Sequence, residues 1–252
     1  MAERARDVKR RLNLLFDLWN EIISRWEQGE NLERDDVVRL LKREYERERI
    51  SPLRGASLPP DIYEKEMSSL YIVGKYGMGL EEQYPELFDR IFYPEIKYEK
   101  IIEILMTSTS EEARDKILAM LGREPEDNII ARILRLEFTK IYYGFTDEES
   151  LRRLVAAILR VFPEKERMLS KYIRFYIAFK VASGIYRGEV RDRLTKEAVK
   201  QGTALVFSDI RGSIPDDNYI RKIAMEVFHV PRRILDHVLP AGRGQRRGRS
   251  RA

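Results

Sequence analysis

The stretch Ala5-Arg-Asp-Val8-Lys-Arg-Arg-Leu12-Asn-Leu-Leu15-Phe-Asp-Leu-Trp19-Asn-Glu-Ile22-Ile-Ser-Arg-Trp26 decides the fold class. Its apolar residues at 5, 8, 12, 15, 19, 22 and 26 recur every three or four positions, which gathers them on one side of an α-helix. A strand, whose side chains alternate between two faces, would scatter them. Leu14, Phe16, Leu18 and Ile23 widen the stripe beyond a two-position seam, so the spacing predicts a helix covered on more than one side.

The same period continues outward. A second helix is predicted over 33–47, with Val37, Leu40, Leu41 and Tyr45 inward. Ile50-Ser-Pro-Leu-Arg-Gly-Ala-Ser-Leu-Pro-Pro60 then breaks the pattern, because its prolines remove amide donors. The expected organisation is a helical hairpin over 1–50, a proline-rich loop over 51–60, a main helical domain over 61–240 and a basic tail over 241–252. Pro60 suits a helix start, with Gly74 and Gly77 as the stop. Separate short helices are expected over 81–92 and 95–106. Thr109 with Glu112 and Thr146 with Glu149 have capping-box spacing, while Gly122 and Gly144 stand where C-terminal caps belong. Helices follow over 129–143, 151–162, 165–186 and 190–206, with 205–207 alternatively a short strand. In the 165–186 helix, Tyr172, Phe175, Tyr176 and Phe179 share a face, a spacing that reads first as core packing and second as a base-stacking platform. The class is all-α, with about ten helices and no extended sheet.

Composition narrows the chemistry. The 252 residues include no Cys and two His, which excludes disulfides, thiolate nucleophiles, iron–sulfur clusters and a three-histidine metal site. Acidic groups at 111–115, 126–127, 147–149 and 216–217 lie at predicted helix starts, where carboxylates offset the helix dipole. Neither His229 nor His237 has a nucleophile beside it. Gly74-Lys-Tyr-Gly-Met-Gly79 lacks the Gly-Lys-Ser/Thr of a phosphate loop and follows a helix. These observations point to a non-enzymatic protein without catalytic residues, metal or cofactor. The charged start and the lack of a long apolar run suggest a cytoplasmic protein without a membrane segment. Charged residues at 35% and the absence of Cys match proteins of hot environments.

Charge is unevenly placed. Residues 61–150 hold 11 Lys/Arg against 20 Asp/Glu, residues 151–240 hold 18 against 10, and residues 241–252 hold 5 against none. The tail Ala241-Gly-Arg-Gly-Gln-Arg-Arg-Gly-Arg-Ser-Arg-Ala252 has nothing to bury, so it is expected to be disordered when free. Its Arg243, Arg246, Arg247, Arg249 and Arg251 suit phosphate contacts. Before it, 220–228, the turn His229-Val-Pro231 and 232–239 resemble a helix-turn-helix motif. In that reading Phe228, Val230 and Leu235 hold the pair together, while Arg221, Lys222, Arg232, Arg233 and His237 meet nucleic acid. His229 occupies the turn position where Gly is usual, and Met225 stands where a small residue is normal.

Pro52-Leu-Arg-Gly55, Pro60-Asp-Ile-Tyr-Glu-Lys-Glu-Met67 and Tyr71-Ile-Val-Gly-Lys-Tyr-Gly77 together resemble the central segment of an uncharacterised protein family of thermophilic archaea. The resemblance implies an archaeal setting and carries over no activity. The residues themselves favour a helical protein associated with RNA or a ribonucleoprotein, since a short Arg/Gly tail follows irregular phosphates without needing a groove. Two alternatives stand beside it. One is an interaction scaffold that oligomerises or binds a partner through Trp19 and Trp26, and the other is a DNA-binding regulator using the last helix pair.

Overall fold

The 3.6-residue period is realised along the chain. The computed structural model describes residues 2–47 and 62–240. The expected loop over 51–60 and tail over 241–252 lie outside these, as do Pro52–Gly55 of the archaeal resemblance. Among the described residues there are twelve α-helices and no strand: α1 Ala2–Glu27, α2 Arg34–Arg47, α3 Ile62–Ile72, α4 Leu80–Gln83, α5 Pro85–Thr107, α6 Ser110–Leu121, α7 Asp127–Tyr143, α8 Glu148–Val161, α9 Glu166–Tyr186, α10 Arg193–Val206, α11 Asp217–Glu226 and α12 Arg232–Val238.

Contacts divide the chain between Lys165 and Glu166, away from the proline-rich stretch where the sequence placed a boundary. In the first unit α1 and α2 pack on α3, α5 and α7, so the amino-terminal hairpin is part of the body. The reason is the width of its apolar stripe: Leu14, Leu15, Leu18, Trp19 and Ile22 are all buried. Trp19 is the centre. Its ring stacks on Phe88 at 5.2 Å and lies 5.5 Å from Phe92, and its indole N–H donates to the Leu70 carbonyl at 3.0 Å. The hydrogen bond satisfies the one polar atom of a large buried ring.

Gly74 does not stop the helix, whereas Gly77 is its last residue before the Met78 cap. After Ile72 the chain passes into a π-helical turn, Val73–Gly77. A methyl on Gly74 would lie 2.4 Å from the Trp19 ring, so the missing side chain serves close approach of α1. The expected break between 92 and 95 appears as a kink within α5, where Phe92 leaves helical geometry (φ −114°, ψ 18°) just before Pro94, while the start of the 81–92 stretch forms the separate short α4. Proline lacks the amide that would continue the ladder. Arg34 bridges the kink from α2, donating to the Ile91 carbonyl at 3.0 Å and to both oxygens of buried Glu95 at 2.9 and 3.1 Å. At α8 the cap is Asp147, which accepts from Ser150, and not Thr146. The last residues of α10 are helical, which removes the strand option at 205–207.

Candidate nucleic-acid interface

In the second unit α9 carries α10 and α11, and α12 packs on α11. The shared core joins Ala178, Val181 and Ile185 of α9 to Ile220 and Ile223 of α11 and Leu235 and Val238 of α12. Helix α11 starts where Asp216 accepts from the Tyr219 amide at 2.7 Å. Its next residue, Asp217, is held by the buried ammonium of Lys196 at 2.6 Å.

The turn between α11 and α12 has a defined geometry. His229 takes φ +51°, the left-handed region, at the position where the motif usually has glycine. The Val230 amide returns to the Ala224 carbonyl at 3.0 Å, and the Pro231 carbonyl accepts from Ile234 at 2.9 Å to open α12. Val230 and Leu235 are buried, as the helix-turn-helix spacing requires, while Phe228 is half-buried. Met225 does not obstruct the pair, because it faces solvent and the small buried residue is its neighbour Ala224.

The basic residues separate into two groups. Arg221 is consumed by the fold: it donates to the Leu239 carbonyl at 2.8 Å and pairs with Asp236, closing the end of α12. Its expected role in phosphate contact is thereby corrected to a structural one, since both ends of its guanidinium are engaged. Lys222, Arg232, Arg233 and His237 are exposed. Arg232 is 84% exposed and reaches Asp236 only at 3.8 Å. Lys222 and Arg233 have no ion-pair partner among the described residues. His237 lies close enough to Asp192 to help hold that carboxyl below its ordinary range, a shift due first to the Thr195 amide and then to its hydroxyl. Arg243, Arg246, Arg247, Arg249 and Arg251 lie outside the described residues.

A row of aromatic rings adjoins the turn. The buried side of α9 is Leu169, Ile173, Ile177, Val181 and Gly184, leaving the expected inward set of Tyr172, Phe175, Tyr176 and Phe179 half-buried or exposed. The aliphatic row wins the core because it runs the length of the helix at the same spacing. Phe175 is 39% and Tyr186 46% exposed. Phe175 lies 6.0 Å from Phe179, Phe179 4.9 Å from Phe228, and Phe228 5.8 Å from Tyr186.

The first unit offers less. Trp19 is fully buried, which overturns its reading as a partner-binding residue, and Trp26 is half-buried. A cleft there is lined by Arg25, Arg39 and Arg43, but Glu21, Asp36 and Glu44 pair with them. Lys140 is buried against Glu99 at 2.9 Å and Glu137 at 3.4 Å. Burial opposes its ammonium, yet the two carboxylates outweigh that and raise its pKa. Among the described residues no group of three His, Asp or Glu is placed to hold a metal ion, and no helix is long and apolar enough to cross a membrane.

The sequence model of a family described as an uncharacterized protein conserved in archaea matches residues 6–239. The chain belongs to that family, DUF2192. No curated protein and no solved structure matches it. The match takes in both units of this DUF2192 chain and the whole α11–α12 pair, and it ends at Leu239, before the arginine tail.

Proposed function

We propose that this DUF2192 protein binds RNA, free or in a ribonucleoprotein, and that the second unit with the tail that follows it makes the contact. One observation carries the reading: Lys222, Arg232 and Arg233 are exposed on a packed helix pair without strong internal partners among the described residues. An exposed cation costs little to bring to a phosphate, because no ion pair has to be broken first, and each contact releases condensed counterions. Charge supports the same place. Residues 166–240 hold 14 Lys/Arg against 9 Asp/Glu, and five arginines follow, whereas residues 1–165 hold 28 against 33. The cysteine-free, charge-rich composition supports a cytoplasmic and thermophilic setting.

The test is the salt dependence of binding to total cellular RNA. With all five tail arginines on phosphates, removing residues 241–252 lowers the slope of log K against log salt by about 3 to 5. Lys222→Ala, Arg232→Ala and Arg233→Ala each lower it by about 0.7 on single strands. An intact protein with no measurable affinity at low salt refutes the proposal.

A further inference from the structure

The aromatic row suits something the cations alone do not require. We infer that Phe175, Phe179, Phe228 and Tyr186 form a stacking surface for unpaired bases, so that the second unit takes single-stranded RNA in preference to duplex; this rests on the RNA reading above. Four rings follow one another at 4.9 to 6.0 Å, tilted by 33° to 52°, and the rings at both ends of the row are open to solvent. An exposed Phe or Tyr face gains from any base, because every base has a π-face, whereas duplex bases are already stacked on one another.

Exposed cations that neighbour the rings along the chain select a nucleic acid over a protein as the occupant. Lys171 is exposed one turn before Phe175 on α9. On α11, Lys222 is exposed ahead of Phe228, and Arg232 and Arg233 follow Phe228 across the turn. Rings and exposed cations that alternate along the chain, in a unit of net positive charge, complement a strand that alternates bases with phosphates. The fold also keeps the row in place. Phe228 sits in the turn that the Val230 amide closes, and Phe179 lies against it from α9, so the two half-buried rings fix the spacing of the two exposed ones.

The experiment measures the affinity of the full chain for three labelled ligands of equal length: an oligouridine, the same ribose-phosphate strand without bases, and a duplex RNA. Phe175→Ala, Tyr186→Ala and Tyr186→Phe are compared, with circular dichroism to establish that each variant is folded. Stacking predicts that oligouridine binds tighter than the abasic strand and the duplex. It also predicts that each alanine variant loses about 5-fold or more on oligouridine while the abasic strand is unaffected, and that Tyr186→Phe retains affinity. Equal binding of the oligouridine and abasic strands, or tighter binding of the duplex, overturns the stacking surface and leaves phosphate binding standing. A concentration-dependent dimer that Phe175→Ala abolishes, with RNA affinity unchanged, overturns it in favour of a contact between copies. Absence of binding to all three ligands overturns both readings.

Discussion

Trp19 and Arg221 show how a single side chain is claimed by the interior before it can serve a partner. Trp19→Ala removes a buried ring, its stacking on Phe88 and the donor to Leu70, and costs about 3–5 kcal/mol, read from urea denaturation followed by far-ultraviolet circular dichroism. A loss below about 0.5 kcal/mol, within the range of surface substitutions, means that the indole is not central to the core. Arg221→Ala leaves the Leu239 carbonyl and Asp236 without their partner and lowers stability by about 1–3 kcal/mol. Arg232→Ala, at an 84% exposed site, leaves stability within about 0.5 kcal/mol and acts on RNA affinity alone. Tyr76 adds a pH dependence. Burial and then the nearby Glu99 push its hydroxyl up to about 12, from about 10 for a free phenol. A group whose pKa is raised by folding stabilises the fold while protonated, so this contribution is whole below pH 10 and is lost as pH rises through 12. Alkaline titration of unfolding free energy should fall across that window, and Tyr76→Phe, which has no proton to lose, should fall less steeply.

Elements were legible in the sequence wherever their ends are set by adjacent residues. Thr109 caps α6 by accepting from Glu112, and Gly122 and Gly144 end α6 and α7 with positive φ, because a cap needs only neighbours a few positions away. What could not be read depends on distant parts of the chain. Gly74 looks like a stop until Trp19, remote in sequence, fills the space beside it, and nothing near Phe92 in sequence announces that Arg34 of α2 bridges the kink there. The core reading of Tyr172, Phe175, Tyr176 and Phe179 holds only in part for a related reason: two faces of α9 share one spacing, the aliphatic face takes the centre of the core, and Phe179 packs at its edge while Phe175 is exposed. Of the candidate site, the exposed cations and the helix pair were legible, while the capping role of Arg221 needed the geometry of Leu239. The turn yields its own test. His229 is held at φ +51°, a conformation that costs a β-branched side chain more than it costs His or Gly. His229→Val therefore lowers the thermal midpoint by the equivalent of about 1–2 kcal/mol, and His229→Gly leaves it unchanged or raises it. Equal loss in both variants would show that the imidazole, and not the backbone, matters at this turn.

Across the whole molecule the small net charge conceals a division that coincides with the contact boundary. Residues 1–165 carry five more acids than bases, residues 166–240 five more bases than acids, and the tail adds five arginines. Had binding followed total charge, any surface cation would contribute alike, since long-range attraction to a polyanion is indifferent to which lysine supplies it. If instead the second unit makes the contact, only cations that touch phosphate displace counterions and enter the salt slope. Lys100 and Arg153 in the first unit are exposed, as are Lys222 and Arg233 in the second, so both pairs change to Ala with the same change of net charge and little effect on the fold. The first pair should leave the slope for a single-stranded RNA unchanged and shift its affinity only slightly at low salt, where screening is weak. The second pair should reduce the slope by about 1.4, at about 0.7 for each phosphate lost. Equal slopes for the two double variants would assign binding to the general field of the protein, and a loss confined to the first pair would move the interface out of the second unit altogether.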